Sequence, residues 1–242
     1  MGIQYLDWDT NFFGIKIGRV ELNEKSSFDP LVFRERALDE KYELIYVFKY
    51  GAMVDWGSAI KAEIELMDIM LTMSMKFDKR KYLNLSYTLC NELQPSELND
   101  CYRIAEQIAD VSRFNKESKV GSVKAKKLYK TWLDNALNQS FADGVFVAKH
   151  EDVIAGIHII STDAARRIGK CSVIGADSNF KGLGLGKNLW SQAFGYWAKE
   201  NKIETCQVPF SILNNESFNF HLKIGFNKVE EVKYIYHFRN NY

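Results

Sequence analysis

Residues 172–190 read SVIGADSNFKGLGLGKNLW. A β-branched run gives way to a polar turn, three alternating glycines and an amphipathic stretch, so a strand feeds a helix through glycine. Such a turn builds an anion site. Glycine admits positive φ and leaves successive N–H groups bare, and the positive end of the helix dipole favours phosphate. Lys181 and Lys187 supplement it. A Walker A loop is excluded, because Lys181 takes its first glycine position and Asn188 its hydroxyl position. The dinucleotide fingerprint fails as well, since Gly182, Gly184 and then Lys187 break its spacing. From the turn alone, a phosphate site and a ligand-free glycine turn both fit.

The surrounding pattern alternates. Downstream come the helix LGKNLWSQAFGYWAKEN, the strand ETCQVPF, a short helix NNESFNFHLKI and the strand VEEVKYIYHF. Upstream, CYRIAEQIADVSRF and VKAKKLYKTWLDNALNQ carry helical apolar spacing, and the strands GVFVAKH, VIAGIHII and KCSVIGA follow. From Tyr5 to Tyr87 the short apolar runs FFGIKIGRV, ELIYVFKY, DIMLTMSMKF and KYLNLSY read as strand candidates, with helices near Leu31–Glu40 and Gly57–Glu65. The polar cluster NELQPSELND marks a break with a helix cap at Ser96 or Asn99. This predicts an α/β (α+β) fold with a mixed sheet rather than a doubly wound one. A smaller N-terminal α/β domain over 1–93 and a second domain over 94–242 are expected.

Composition narrows the partners. The 242 residues carry 32 Lys and Arg against 31 Asp and Glu, a net charge of +1, and 46% are hydrophobic. Disorder is excluded, and with no basic run longer than KAKK a nucleic-acid or anionic-membrane surface is not expected. Small-molecule substrates fit better. No stretch approaches the ~20 apolar residues of a membrane helix, and the N-terminus lacks the regions of a signal peptide, so a cytoplasmic location is expected. The four cysteines, Cys90, Cys101, Cys171 and Cys206, lack metal spacing, so reduced thiols and no metal are expected.

Two motifs in order point further. Lys181, Gly184 and Gly186 fit the Gln/Arg-x-x-Gly-x-Gly/Ala acyl-CoA signature of the GCN5-related N-acetyltransferases, followed by a helix start at Gly186, Lys187 and Leu189. Lys181 replaces the usual Gln or Arg and keeps a donor there. About 30 residues on, Asn214, Lys223, Gly225 and Phe226 stand in register with the second motif of that family. The chain therefore resembles these acetyltransferases, which implies their fold, with a mixed, mostly antiparallel central sheet. Acyl-CoA is the implied cosubstrate, and no metal is needed. LDWDTNFFG, VSRF and LYKTWLDNAL resemble the branch that acylates nucleotide-linked amino sugars, the dTDP-fucosamine acetyltransferases. Transfer of an acetyl or longer acyl group, such as hydroxybutanoyl, to a dTDP-linked 3- or 4-amino-dideoxyhexose of surface polysaccharide synthesis is implied. The resemblance is compatible with a homodimer.

The resemblance also distributes roles. Acyl-CoA is expected at Gly182, Leu183, Gly184, Leu185 and Gly186 with Lys181, Lys187 and Asn214, and the thioester against the backbone of Gly175 and Ala176 on a splayed, bulged strand. His221 stands where the family has the Tyr that protonates the thiolate. An imidazole can exchange protons at neutral pH; packing between Phe218 and Leu222 is the other reading. Asp68 is the candidate base for the ammonium, or else an outward strand carboxylate. Arg113 could hold phosphates or end a helix. Trp8, Asp9, Asn11, Phe12 and Phe13 offer aromatic and polar groups to a base or sugar, or pack as core. The rivals are a transferase acting on another small amine or a protein N-terminus, and a non-catalytic acyl-CoA-binding module.

Overall fold

The computed structural model describes residues 2–24, 26–90, 93–138, 141–200 and 202–240. The first part of the chain forms β1 (Gln4–Tyr5), α1 (Asp7–Phe13), β2 (Ile17–Leu22), α2 (Pro30–Asp39), β3 (Leu44–Tyr50), α3 (Trp56–Ala62) and β4 (Ile64–Lys76). Then come α4 (Pro95–Asp110), α5 (Arg113–Lys116), α6 (Gly121–Leu137), β5 (Gly144–His150), β6 (Val153–Asp163) and β7 (Ile168–Ala176). The chain continues through α7 (Leu185–Glu200), β8 (Thr205–Ser211), α8 (Asn215–Ile224) and β9 (Lys228–Arg239).

Local chemistry explains the departures from expectation. LDWDTNFF is a helix, closed by Gly14 at φ +69°. The α4 cap is Gln94 rather than Ser96 or Asn99. Pro95 takes the first helical position, where a missing N–H costs nothing, and the Glu97 carboxylate accepts the Gln94 N–H at 2.9 Å. KYLNLSY forms no strand. It crosses α7 instead, with Tyr82, Leu85 and Tyr87 packed on the core there. A Cβ on Gly195 would stand 2.9 Å from the Leu85 carbonyl, so glycine permits the crossing. Asn91 and Glu92 of the expected linker, and Gln139 and Asn201 at expected helix ends, lie outside the described residues.

Among the described residues nine strands form one mixed sheet in the order β1-β2-β3-β9-β4-β8-β7-β6-β5. Neighbours pair antiparallel except β2 with β3 and β7 with β8. The fold is thus the mixed α/β arrangement that the element pattern implies. Its middle joins distant parts of the sequence, because β4 lies between β9 and β8. Alternation buries both faces. On one face α2, α3, α7 and α8 cover Ile45, Val47, Leu71, Met73 and Val208. On the other α1, α4, α5 and α6 cover Leu44, Tyr46, Ile157, Ile159 and Ile235.

A buried ionic knot fixes the second helical layer. Glu117, at the end of α5, is fully buried. Its carboxylate accepts hydrogen bonds from Arg239 Nε at 2.9 and 3.1 Å, from the Lys119 N–H at 3.0 Å and from His237 Nδ1 at 2.5 Å. Burial opposes ionisation, but the bonds from His237, Arg239 and Lys119 outweigh it and hold the carboxyl at about 2. The short helix carrying Arg113 is thereby tied to β9. Removing one partner leaves the others buried and uncompensated, so Glu117→Ala should lower stability by about 3–5 kcal/mol in urea unfolding. A loss below ~1 kcal/mol would show that the knot does not hold the layer.

Candidate active site

The parallel strands β7 and β8 pair only at Ile168 with Thr205, Gly169 with Cys206 and Lys170 with Gln207. Beyond that point β7 continues along β6 to Ala176, and β8 continues along β4 to Ser211. The two strands part and leave a wedge. A register shift contributes, since Ile160 faces Cys171 while Ile159 faces Val173, so Ser172 is an extra residue that bends β7. Facing strand edges inside the wedge lack each other as partners, and such groups need a ligand or water. Gly175 and Ala176 end β7 at its open side. Gly175 has a packing reason as well, because a Cβ there would meet Ile108 at 2.5 Å.

The glycine turn follows directly. Asp177, fully buried, pairs with Arg103 at 3.1 Å and accepts from the Asn179 N–H at 2.9 Å and from Gln107 at 3.2 Å. It anchors the turn to α4. Gly182 and Gly184 adopt φ +83° and +74°, a region that other residues enter at a cost. Open space surrounds both, so backbone conformation rather than crowding requires glycine, whereas a Cβ on Gly186 would meet Phe220 at 2.7 Å. Among the described residues none accepts a hydrogen bond from the N–H groups of residues 181–187. These donors face the start of the 16-residue α7. Leu183 is exposed and Leu185 buried. Lys181 is exposed and paired with Glu216 at 3.0 Å. The Asn214 side chain caps α8 by accepting the Ser217 N–H at 2.9 Å.

His221 lies in an aromatic cage. It is 1% exposed, stacks on Phe210 with centroids 5.2 Å apart, and touches Trp190, Phe220 and Phe226 edge to face. Nδ1 lies 2.8 Å from the Ser217 carbonyl, which makes it the proton-bearing nitrogen, and Nε2 is buried without a partner among the described residues. Burial lowers its pKa to about 4. The environment supports packing; the proton-returning role expected from the second motif has no support in it.

Asp68 sits differently. A register shift after Leu66 turns it toward the face covered by α1 and α5. It is 8% exposed, and Oδ1 accepts from the Ile69 N–H at 2.8 Å and from the Ser211 hydroxyl at 2.5 Å. Ser211 ends β8, so this carboxylate stands at the mouth of the wedge. Arg113 is half-buried, with its guanidinium 3.9 Å over the Phe114 ring and 5.3 Å from the Tyr46 ring. Asp68, Asp9, Tyr46 and Tyr129 all act on its charge. Burial raises the Asp9 carboxyl, against the pull of Arg113 and Arg19. Trp8 stacks on Phe12 at 4.9 Å and lines a cleft of about 290 Å³ with Trp132, Asn135, Phe141, Ser172 and Val173.

The structure therefore brings Trp8, Asp9, Phe12, Asp68 and Arg113 onto one face beside the wedge. Phe13 is buried in the core and Asn11 is exposed. Sequence reasoning missed Ser211, Tyr46, Tyr129 and Trp132; the alternation in LIYVFKY was a usable signal for Tyr46. Among the described residues no group of three or more His, Cys, Asp or Glu is placed to hold a metal ion. No described helix is long and apolar enough to cross a membrane.

The sequence model of the acetyltransferase (GNAT) family matches residues 105–226, which span α4 to the end of the second motif. The chain belongs to this family. Its members transfer acyl groups from acyl-CoA, and the wedge and glycine turn lie within or beside the matched span. No curated protein matches the sequence. Among solved structures, a conserved protein of unknown function from Staphylococcus epidermidis is similar at TM-score 0.61, with 11% identity over 93% of this chain and 84% of that one. A GCN5-related N-acetyltransferase from Sphaerobacter thermophilus gives 0.51, with 12% identity over 81% and 60%. A tandem GNAT protein from the clavulanic acid biosynthesis pathway gives 0.53, with 11% identity over 85% and 67%. At these identities the likeness is one of fold.

Two outcomes follow from this geometry. Gly184→Val forces a β-branched residue into positive φ and should weaken acyl-CoA binding at least tenfold by calorimetry; unchanged affinity in a folded variant would remove the turn from the site. Burial also lowers the pKa of His158 to about 3. In acid the unfolded chain takes up protons at both His158 and His221 that the folded chain refuses. Stability should be full above pH ~6.5 and fall as pH drops toward 4. Urea midpoints that stay flat between pH 6.5 and 5 would contradict it.

Proposed function

We propose that the chain transfers an acyl group from acyl-CoA to the amine of a nucleotide-linked amino sugar, a dTDP-linked 3- or 4-amino-dideoxyhexose of surface polysaccharide synthesis. The wedge between β7 and β8, opening beside unpartnered N–H groups at the head of α7, carries the acyl-transfer half of this reading. Residues 181–187 would hold the pyrophosphate, and backbone N–H groups near Gly175 and Ala176 would polarise the thioester carbonyl. Asp68 takes a proton from the ammonium, directly or through water. The neutral amine forms the C–N bond, and the C–S bond breaks as the tetrahedral adduct collapses. The second nitrogen proton passes through water to the departing thiolate.

Direct attack in a ternary complex suits the cysteines. Burial raises the thiols of Cys90, of Cys101, to about 12, of Cys171 and of Cys206, so none offers a thiolate for an acyl-enzyme. In this proposal the segment 1–93 supplies acceptor groups, Trp8, Asp9 and Asp68 among them. The segment 94–242 binds acyl-CoA. The acceptor half is supported by the meeting of a carboxylate, an arginine and an aromatic cleft on one face. One observation favours an acyl-CoA-binding module without chemistry, namely that His221 presents no exchangeable proton to a thiolate.

Thiol release measured for a panel of dTDP-amino sugars and free amines against several acyl-CoAs decides between them. Asp68→Asn should lower kcat about 10²–10⁴-fold with acyl-CoA affinity unchanged. Removing the nucleotide should reduce kcat as well as binding, because remote binding energy positions the amine. Equal kcat/KM for the free sugar and its dTDP form would overturn the acceptor, and no release with any amine would leave the module.

A further inference from the structure

Three cations gather on the face that carries Asp68, on strands that the sequence sets far apart. Pairing aligns Ser211, Met70, Lys233 and Tyr50 in one row across β8, β4, β9 and β3. In the next row Phe48 faces Ile235, which faces Asp68. Tyr46 and Phe48 stack with centroids 6.4 Å apart. Phe48 is flanked from both sides, by the Arg19 guanidinium at 5.0 Å and by Lys233 Nζ at 5.3 Å. Arg113 lies 5.3 Å from the adjoining Tyr46 ring.

Two of the three are poorly compensated. Among the described residues Lys233 and Arg113 form no ion pair, and Arg113 donates no hydrogen bond. The Nε atoms of Arg19 and Arg113 are buried without partners among the described residues, as is the Tyr46 hydroxyl. Glu21 pairs with Arg19, Glu231 is exposed at the rim, and Asp9 and Asp68 stand nearer Arg113. Burial, with help from Arg113 and Arg19, lowers the pKa of Lys233 against the pull of Glu231. Partly desolvated cations without hydrogen-bond acceptors are costly unless an anion completes them.

We propose that Arg19, Arg113 and Lys233, mounted on the Tyr46–Phe48 ladder, form a subsite for a phosphate or diphosphate carried by the acceptor. Lys233 stands two strand spacings from Ser211, about 10 Å at ~4.8 Å per strand. A ligand with an amine at Asp68 and a phosphate across a sugar ring spans that interval. The face thus reads both ends of a zwitterion, an ammonium by its carboxylates and a phosphate by its cations. The inference rests on the acceptor reading of this site and names which residues hold its charged end.

The test titrates dTDP and inorganic pyrophosphate into the full chain saturated with CoA, so that the glycine turn is already filled. Arg19→Met and Lys233→Met keep the apolar stems, and each should weaken binding at least tenfold with CoA affinity and circular dichroism unchanged. Lys233→Arg should restore most of it, and affinity should fall with added salt. Binding of both probes marks a site for diphosphate itself, and binding of dTDP alone marks one that needs the nucleoside; either supports the subsite. It is overturned if the wild type binds neither probe, or if the methionine variants bind as well as the wild type. Loss of thiol release with every amine, while dTDP binding stays sensitive to Arg19 and Lys233, would instead remove the acyl-transfer reading alone.

Discussion

The parting of β7 from β8 after three residue pairs is the constraint on which the rest of the structure depends. Parallel strands that stay paired satisfy each other's backbone groups; strands that diverge do not, and the unsatisfied edges become recognition groups. Each strand is held by its other neighbour, β7 by β6 and β8 by β4, so the wedge is kept open by the sheet itself. The extra residue at Ser172 bends one wall. The turn that follows β7 then delivers the head of α7 beside the opening, with Asp177 buried beneath it as an anchor.

The face proposed to take the acceptor is assembled by the same sheet. Because β4 and β9 sit at its centre, Asp68 from the first third of the chain reaches Ser211 on β8, and Lys233 from its end reaches Phe48 on β3. The Glu117 knot completes the arrangement by tying the α5 segment to β9, which sets Arg113 against Phe114 and Tyr46. The candidate residues are therefore placed by strand order. The helices cover and anchor it.

What was legible in the sequence was local. The glycine turn, α7, and the strands from Gly144 to Ala176 follow from composition and periodicity within a few residues, and the two motifs, through their resemblance to the acetyltransferase family, gave the expectation of an acyl-CoA half. Strand order was not legible, because nothing near Asp68 announces Ser211, 143 residues away. The same limit hid Arg19 and Lys233, which read as ordinary surface cations until their strands flank Phe48. KYLNLSY has strand-like alternation, yet its apolar residues serve to cross α7. His221 fell in register with a functional position, but the cage of Trp190, Phe210, Phe220 and Phe226 is a property of packing that spacing does not encode.

Hydrogen–deuterium exchange with and without acetyl-CoA tests the central claim most directly, because the claim concerns particular backbone N–H groups. The account predicts slowed exchange confined to peptides covering residues 172–176, 181–187 and 208–211, the two walls of the wedge and the head of α7. Saturating acetyl-CoA that leaves those peptides unchanged, and protects the β2–β3 edge or no segment at all, would contradict it.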